Sequence, residues 1–200
     1  MGKPMNAPVK LKTFTNAEFE RIARAGGFGR VRVELRGGMI VEMSPQYVPH
    51  ANVKMELTFA LAAALKAAGL GWKVTTEVSV AFFDGFEPMP DIVVWDPGEA
   101  PADLDGPIPA AAVKLIVEVS DSSLADDLGE KLVDYARGGL AEYWVADAKG
   151  RLLLRHCGPQ ADGYARREPL RFGETAAALT LPALSVDTKA LLLARPKAPK

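Results

Sequence analysis

Between Val113 and Val119 the chain reads Val-Lys-Leu-Ile-Val-Glu-Val, a short apolar run that carries one carboxylate near its end. Such a run belongs in a strand covered on both faces. Burying Glu118 there costs on the order of several kcal/mol unless its charge is compensated. A second run, Ile92-Val93-Val94-Trp95, reads the same way and opens on Asp91 directly after Pro90. If these strands neighbour each other, both carboxylates converge on one end of a sheet. Two hard oxygen ligands at a strand end suit a divalent cation such as Mg²⁺, with water and phosphate completing the octahedron.

The rest of the chain builds around these strands. Thr15-Asn16-Ala17-Glu18 has the form of a capping box, predicting a short helix from about Asn16 to Ala25. Val31–Leu35 and Met39–Met43 flank Arg36-Gly37-Gly38 and predict a hairpin. From His50 to Ala68 the apolar residues Val53, Leu57, Ala60, Leu61, Ala64 and Leu65 form one helical stripe, stopped by Gly69. Val74 to Phe83 alternates as one strand, with Glu77 on its polar face beside Thr75 and Ser79. Leu124 to Ala136 reads as one helix ended by Gly138-Gly139, and Ser120, Ser122 and Ser123 are expected to cap it. Strands at Glu142–Asp147 and Arg151–His156 follow, then a strand or two and a short helix near Thr188–Leu193. The expected fold class is mixed α/β (α+β): a central mixed β-sheet flanked by helices, with an N-terminal hairpin and a C-terminal strand extension. A chain of 200 residues predicts one domain, set at 13–193, with flexible ends at 1–12 and 194–200.

Lys131 adds a third part. On a continuous helix, Leu124, Leu128, Leu132 and Tyr135 span about 80°, and Lys131 lies only about 20° outside that arc. Its ammonium can then swing toward the strand carrying Glu118, to orient water or stabilise phosphoryl charge. Asp127, one turn earlier, is placed to pair with Lys131. Three further positions stay open between two readings. Glu77 is either a further acid at the cation or a solvent-facing glutamate. His50 is either a core or capping histidine or part of the site. Glu34, between Arg32 and Arg36, is either a structural charge partner or a site residue.

The formal net charge of −1 argues against a protein that coats nucleic acid through overall charge, and leaves room for a local cleft. Cys157 is the sole cysteine, which excludes an intrachain disulfide and predicts a partly buried structural thiol. No apolar run follows Lys3 and no stretch is long enough to span a bilayer, so neither a signal peptide nor a membrane partner is expected. The expected setting is the cytoplasm. Arg151, Arg155, Arg166, Arg167 and Arg171 are read as solvated, and together as a basic rim.

Pro90-Asp91-Ile92-Val93-Val94, Ile116 to Leu124, Asp127, Gly129-Glu130-Lys131-Leu132, Tyr135-Ala136 and Glu142-Tyr143-Trp144 closely resemble the widespread bacterial family of "putative restriction endonucleases", within the PD-(D/E)XK nuclease superfamily. The resemblance extends to Val33-Glu34-Leu35, Ser44-Pro45 with His50, and Leu181-Pro182-Ala183-Leu184. It implies a restriction endonuclease-like core and a metal-dependent DNA endonuclease, with Asp91 and Glu118 holding Mg²⁺ (or Mn²⁺). The carbonyl of Val119 is implied as a further ligand, and Lys131 as the assisting amine. Ser120 stands where the superfamily usually has its lysine, and Lys131 takes that place from the following helix. Met39 and Leu128 stand where the family often has an acid and an arginine. The implied partner is DNA as substrate; a homodimer is expected as well, with the aromatic run Tyr143-Trp144 and the hairpins as surfaces that could serve it. The alternative is a catalytically weak or inactive nuclease fold that binds nucleic acid or assembles in a complex.

Overall fold

The structure is a computed structural model that describes residues 11–194. The predicted flexible ends therefore lie almost wholly outside the described residues. The N-terminal part contains α1 (Asn16–Arg24), the hairpin β1 (Val33–Arg36) and β2 (Met39–Glu42), and α2 (Val48–Ala67). Then come β3 (Lys73–Thr76), β4 (Val80–Ala81), β5 (Ile92–Trp95), β6 (Ile108–Pro109) and β7 (Val113–Ser120). The second half carries α3 (Leu124–Asp127), α4 (Glu130–Arg137), β8 (Glu142–Asp147), β9 (Leu152–Gln160), β10 (Gly163–Arg171), β11 (Thr175–Ala177), β12 (Ser185–Asp187) and α5 (Leu191–Ala194).

Six strands form the central sheet in the order β10-β9-β8-β7-β5-β3. Only β7 and β8 run parallel; the other pairs are antiparallel. Alternation along each strand sends side chains to two separate cores. Ile92, Val94, Val117, Val119 and Trp144 pack under α2 and α5, with Val53, Leu57, Leu61 and Leu191. Val93, Ile116, Tyr143 and Val145 pack on the opposite face with Tyr135 of α4 and Phe86. The mixed sheet covered by helices is the architecture the periodicity predicts.

Local signals hold where the chain makes its own geometry. Thr15 and Glu18 form the full capping box of α1. Gly37 and Gly38 take φ of 55° and 73°, the left-handed pair that a two-residue hairpin turn requires.

Two predicted elements are broken. The helix expected over 124–136 divides at Gly129, whose backbone leaves the helical region at φ −102°, ψ −111°. A Cβ there would lie 2.6 Å from the Ala125 carbonyl oxygen, so glycine permits the break. Ser123 holds the N-cap position of α3 but makes no side-chain cap bond. The strand expected over 74–83 ends at Glu77, which adopts φ 55°. Beyond it, β4 leaves the sheet to pair with β6. Glu77 therefore sits at a kink, off the predicted polar face. Arg155, expected to be solvated, is buried and donates to the Ala177 carbonyl at 2.6 Å.

Candidate functional site

Register brings the two predicted acids together. β5 runs antiparallel to β7 with Ile92 opposite Val117, so Asp91, one residue before the strand, meets Glu118. The pairing is reciprocal across the strands. The Asp91 N–H donates to Glu118 Oε2 at 3.2 Å, and the Val119 N–H donates to Asp91 Oδ2 at 2.9 Å. Both carboxylates are buried and both line a cleft of about 390 Å³.

Lys131, in the first turn of α4, points into the same place. Its Nζ donates to Glu118 Oε1 at 3.1 Å and lies 3.8 Å from Glu34 and 3.9 Å from Asp127. The break at Gly129 makes the predicted continuous arc invalid, yet Lys131 is still buried, because α4 packs its own first turn against the sheet. Tyr135, one turn further, donates its hydroxyl to the same Glu118 oxygen at 2.8 Å. Asp127 accepts from Ser120 at 2.5 Å and Ser123 at 2.6 Å, so those hydroxyls brace an acid instead of capping the helix.

The open positions now divide. His50 reaches the site: its Nε2 lies 3.0 Å from Asp91 Oδ2. Glu34 takes both roles, 3.7 Å from Arg36 while facing Lys131 and accepting the Met89 N–H at 3.2 Å. Glu77 stays one cation away. It pairs with Arg32 at 3.1 Å and Lys54 at 2.5 Å, and Lys54 in turn stands 3.7 Å from Asp91.

Gln46, Lys54 and Tyr135 belong to the arrangement without having been singled out. Gln46 donates to Asp91 Oδ1 at 2.9 Å and accepts from Lys54. Lys54 and Tyr135 lie four residues after His50 and Lys131, a helical turn that signals a shared face. A further clamp joins the hairpin to α3, where Arg36 donates to both oxygens of Asp126 at 2.7 and 2.8 Å.

The electrostatics set the two acids apart. Burial opposes the charge of Asp91, yet the His50 hydrogen bond and ring, the Val119 N–H and Lys54 hold it below the usual carboxylate range. Burial pushes Glu118 up to about 8 against the pull of Lys131, with Asp91, Asp127 and Glu34 adding to the rise. Lys131 is held above the ordinary lysine value because its surrounding acids outweigh its burial. A neighbouring pair with opposite protonation tendencies is the pattern by which acid and base roles are divided.

Among the described residues no group of three or more His, Cys, Asp or Glu side chains is arranged to hold a metal. A metal held here would rest on two carboxylates, water and backbone oxygen. The donors are all hard oxygens, which suits Mg²⁺ better than a softer ion.

A family model described as "Putative restriction endonuclease" matches residues 17–190. The chain belongs to this family, Uma2. The fold is shared with the crystal structure of a putative nuclease belonging to DUF820 from Anabaena variabilis ATCC 29413. That match has a TM-score of 0.67 and 15% identity, covering 90% of this chain and 98% of that one. Comparison with curated proteins gives no match. The restriction endonuclease-like core expected from the motifs is thus the fold of this Uma2 chain, and no helix among its described residues is long and apolar enough to cross a membrane.

Proposed function

We propose that this Uma2 chain is a divalent-metal-dependent endonuclease that hydrolyses DNA phosphodiesters. The observation that carries the reading is the meeting of Asp91, Glu118 and Lys131 at the ends of two adjacent strands, on the floor of a cleft. Asp91 and Glu118 would hold Mg²⁺ (or Mn²⁺), with the Val119 carbonyl as a further ligand. The ion, when bound, supplies Lewis-acid polarisation of the phosphodiester and a lowered pKa for attacking water.

The side chains do the rest. Lys131 stays an ammonium near neutral pH, so it donates hydrogen bonds and charge and takes no proton. Its position beside Glu118 suits it to orient water or to balance charge on the phosphoryl oxygens. His50 and Gln46 fix the two oxygens of Asp91, and Tyr135 fixes Glu118. Glu34 and Asp127 share the Lys131 charge and set where it points.

Cleavage of plasmid and linear DNA with Mg²⁺ or Mn²⁺ tests this reading. Removal of the metal with a chelator, Asp91→Ala or Glu118→Ala should each lower the rate by about 10²-fold or more. Equal cleavage by wild type and both variants would mean a contaminant and defeat the proposal. Among the described residues no third side-chain ligand joins Asp91 and Glu118, which favours one alternative, a nuclease fold that binds nucleic acid without cutting it. Calorimetry with Mn²⁺ separates the two: metal binding that tightens DNA binding without cleavage supports the alternative.

A cytoplasmic setting and a homodimer belong to the same proposal. Val48, Met55 and Phe59 form an uncovered apolar stripe along the outer face of α2, which supports self-association. Light scattering giving only monomer mass at micromolar concentration would remove the dimer.

A further inference from the structure

The cleft wall contains an aromatic side chain that the proposed chemistry does not use. Tyr47 lines the cleft and is 73% exposed as a residue, beside Met43 and Pro45. No hydrogen bond or ring contact holds it among the described residues. Its backbone, however, is fixed at both sides. Gln46 bonds one oxygen of Asp91 at 2.9 Å and His50 the other at 3.0 Å. Tyr47 lies between them in the chain, at the extended N-cap of α2. The Tyr47 backbone is thus held between two residues that bond Asp91, and its unpartnered ring lines the same cleft.

Two further observations limit what can lie against that ring. Seven carboxylates line the cleft, against Arg36 and Lys131 as its lysine and arginine residues. Both cations are already bound to acids. Among the described residues that line the cleft, neither cation is therefore free for a nucleic-acid backbone. Phosphate contacts hold duplex and single strand alike, so the contact this wall offers beyond them is an aromatic face, which meets a base only when that base is out of its stack. The second limit is size. A cleft of about 390 Å³ is at the small end of the ~300–1,000 Å³ range of small-molecule pockets. A base in a duplex would have to leave its stack to enter, at a cost of a few kcal/mol that an unpaired base does not carry.

We propose that the cleft takes single-stranded DNA, with the base next to the scissile phosphate stacked on Tyr47. This deepens the nuclease reading and rests on it for the position of the scissile phosphate. Stacking on an aromatic ring accepts any base and contributes about 1–3 kcal/mol per base. It follows that binding depends weakly on salt, because few phosphate charges are neutralised by side chains.

The test uses a single-stranded 12-mer carrying one 2-aminopurine, and the same sequence as a duplex, with the full chain in Ca²⁺. The single strand should bind more tightly than the duplex and its fluorescence should be quenched. Tyr47→Ala should weaken single-strand binding about tenfold, remove the quenching and leave duplex binding unchanged. Tyr47→Trp should keep both the affinity and the quenching. Thermal melting should be nearly the same for all three proteins, since Tyr47 is largely exposed.

Equal loss for single strand and duplex, no quenching in wild type, no DNA binding at all, or a change of oligomeric state in Tyr47→Ala would each overturn the proposal. The nuclease reading fails separately. Quenched, Tyr47-dependent binding without Asp91-dependent cleavage keeps the stacking site and removes the catalysis. Asp91-dependent cleavage with equal preference for duplex does the reverse.

Discussion

Neighbouring strands β7 and β8 each bury a glutamate, and the two carboxylates face opposite sides of one sheet. Glu142 shares its face with Trp144, under α2, and accepts four hydrogen bonds. They come from the Trp144 indole at 2.6 Å, the Leu179 and Thr180 N–H groups at 2.8 Å each, and the Thr180 hydroxyl at 2.7 Å. All four donors are neutral. Glu118 faces Tyr135 and accepts from one ammonium, one hydroxyl and one N–H, with Asp91, Asp127 and Glu34 all raising the cost of its charge. Glu142 is a satisfied acceptor that ties the 179–180 loop to the sheet. Glu118 is one of several acids crowding a single lysine. A buried carboxylate alone does not mark a functional position; a buried carboxylate short of positive charge, open to a cleft, does.

The largest expected effect breaks the satisfied site. Glu142→Ala leaves four donors without a partner and should cost about 3–5 kcal/mol. At about 2–4 °C per kcal/mol for a chain of this size, the melting temperature falls by roughly 6–20 °C, read by calorimetry. A fall under about 2 °C would show the four bonds to be replaceable by water.

The opposite sign is expected for Glu118→Gln. Folding raises this carboxyl from its ordinary 4.5 to about 8, so the folded chain binds the proton more tightly than the unfolded one. The stability this contributes is fully present below about pH 4.5 and is lost as pH rises through about 8. Glutamine carries no such loss. The variant should match wild type near pH 4.5 and exceed it increasingly up to pH 8, by about 2 kcal/mol once the weakened Lys131 contact is allowed for. Cleavage should be lost at the same time, the trade expected where a strained site serves activity. Destabilisation by Glu118→Gln across the whole range would make the Lys131 contact net stabilising and erase the contrast with Glu142.

The contrast also explains what could be read from the residues alone. Glu118 was legible because it interrupts an apolar run, and Asp91 because it opens one. Their meeting needed only that the two strands be neighbours. Glu142 gave no such signal, since it begins its strand and its main-chain partners lie 37 and 38 residues later. The Arg36–Asp126 clamp spans 90 residues and has no local signature. Gln46 and Lys54 belong to the site through a loop and a helical turn whose placement depends on where α2 meets the sheet. Periodicity likewise could not see the breaks at Glu77 and Gly129. One is a backbone kink within an alternating pattern, and the other a glycine within a helical one.

A third buried glutamate ranks the two and gives the smallest effect. Glu87 lies beside Leu35, with which it exchanges both backbone hydrogen bonds, at 3.1 and 2.9 Å. Its side chain is buried, and its Oε2 has no hydrogen-bond partner among the described residues. Burial and the nearby Glu20 push it up to about 7. It therefore lacks both the donors of Glu142 and the cation beside Glu118. If unmet donors and cations set the cost, Glu87→Gln should stabilise the fold at pH 8 and not at pH 4.5, by the same sign argument as for Glu118. The gain should be about 1 kcal/mol, or roughly 2–4 °C, because the backbone pairing with Leu35 is unchanged and part of the shift is screened. Cleavage should be unaffected, since Glu87 does not line the cleft that holds Asp91 and Glu118. A gain equal at both pH values would trace to packing of the amide, and the ranking by charge would no longer hold.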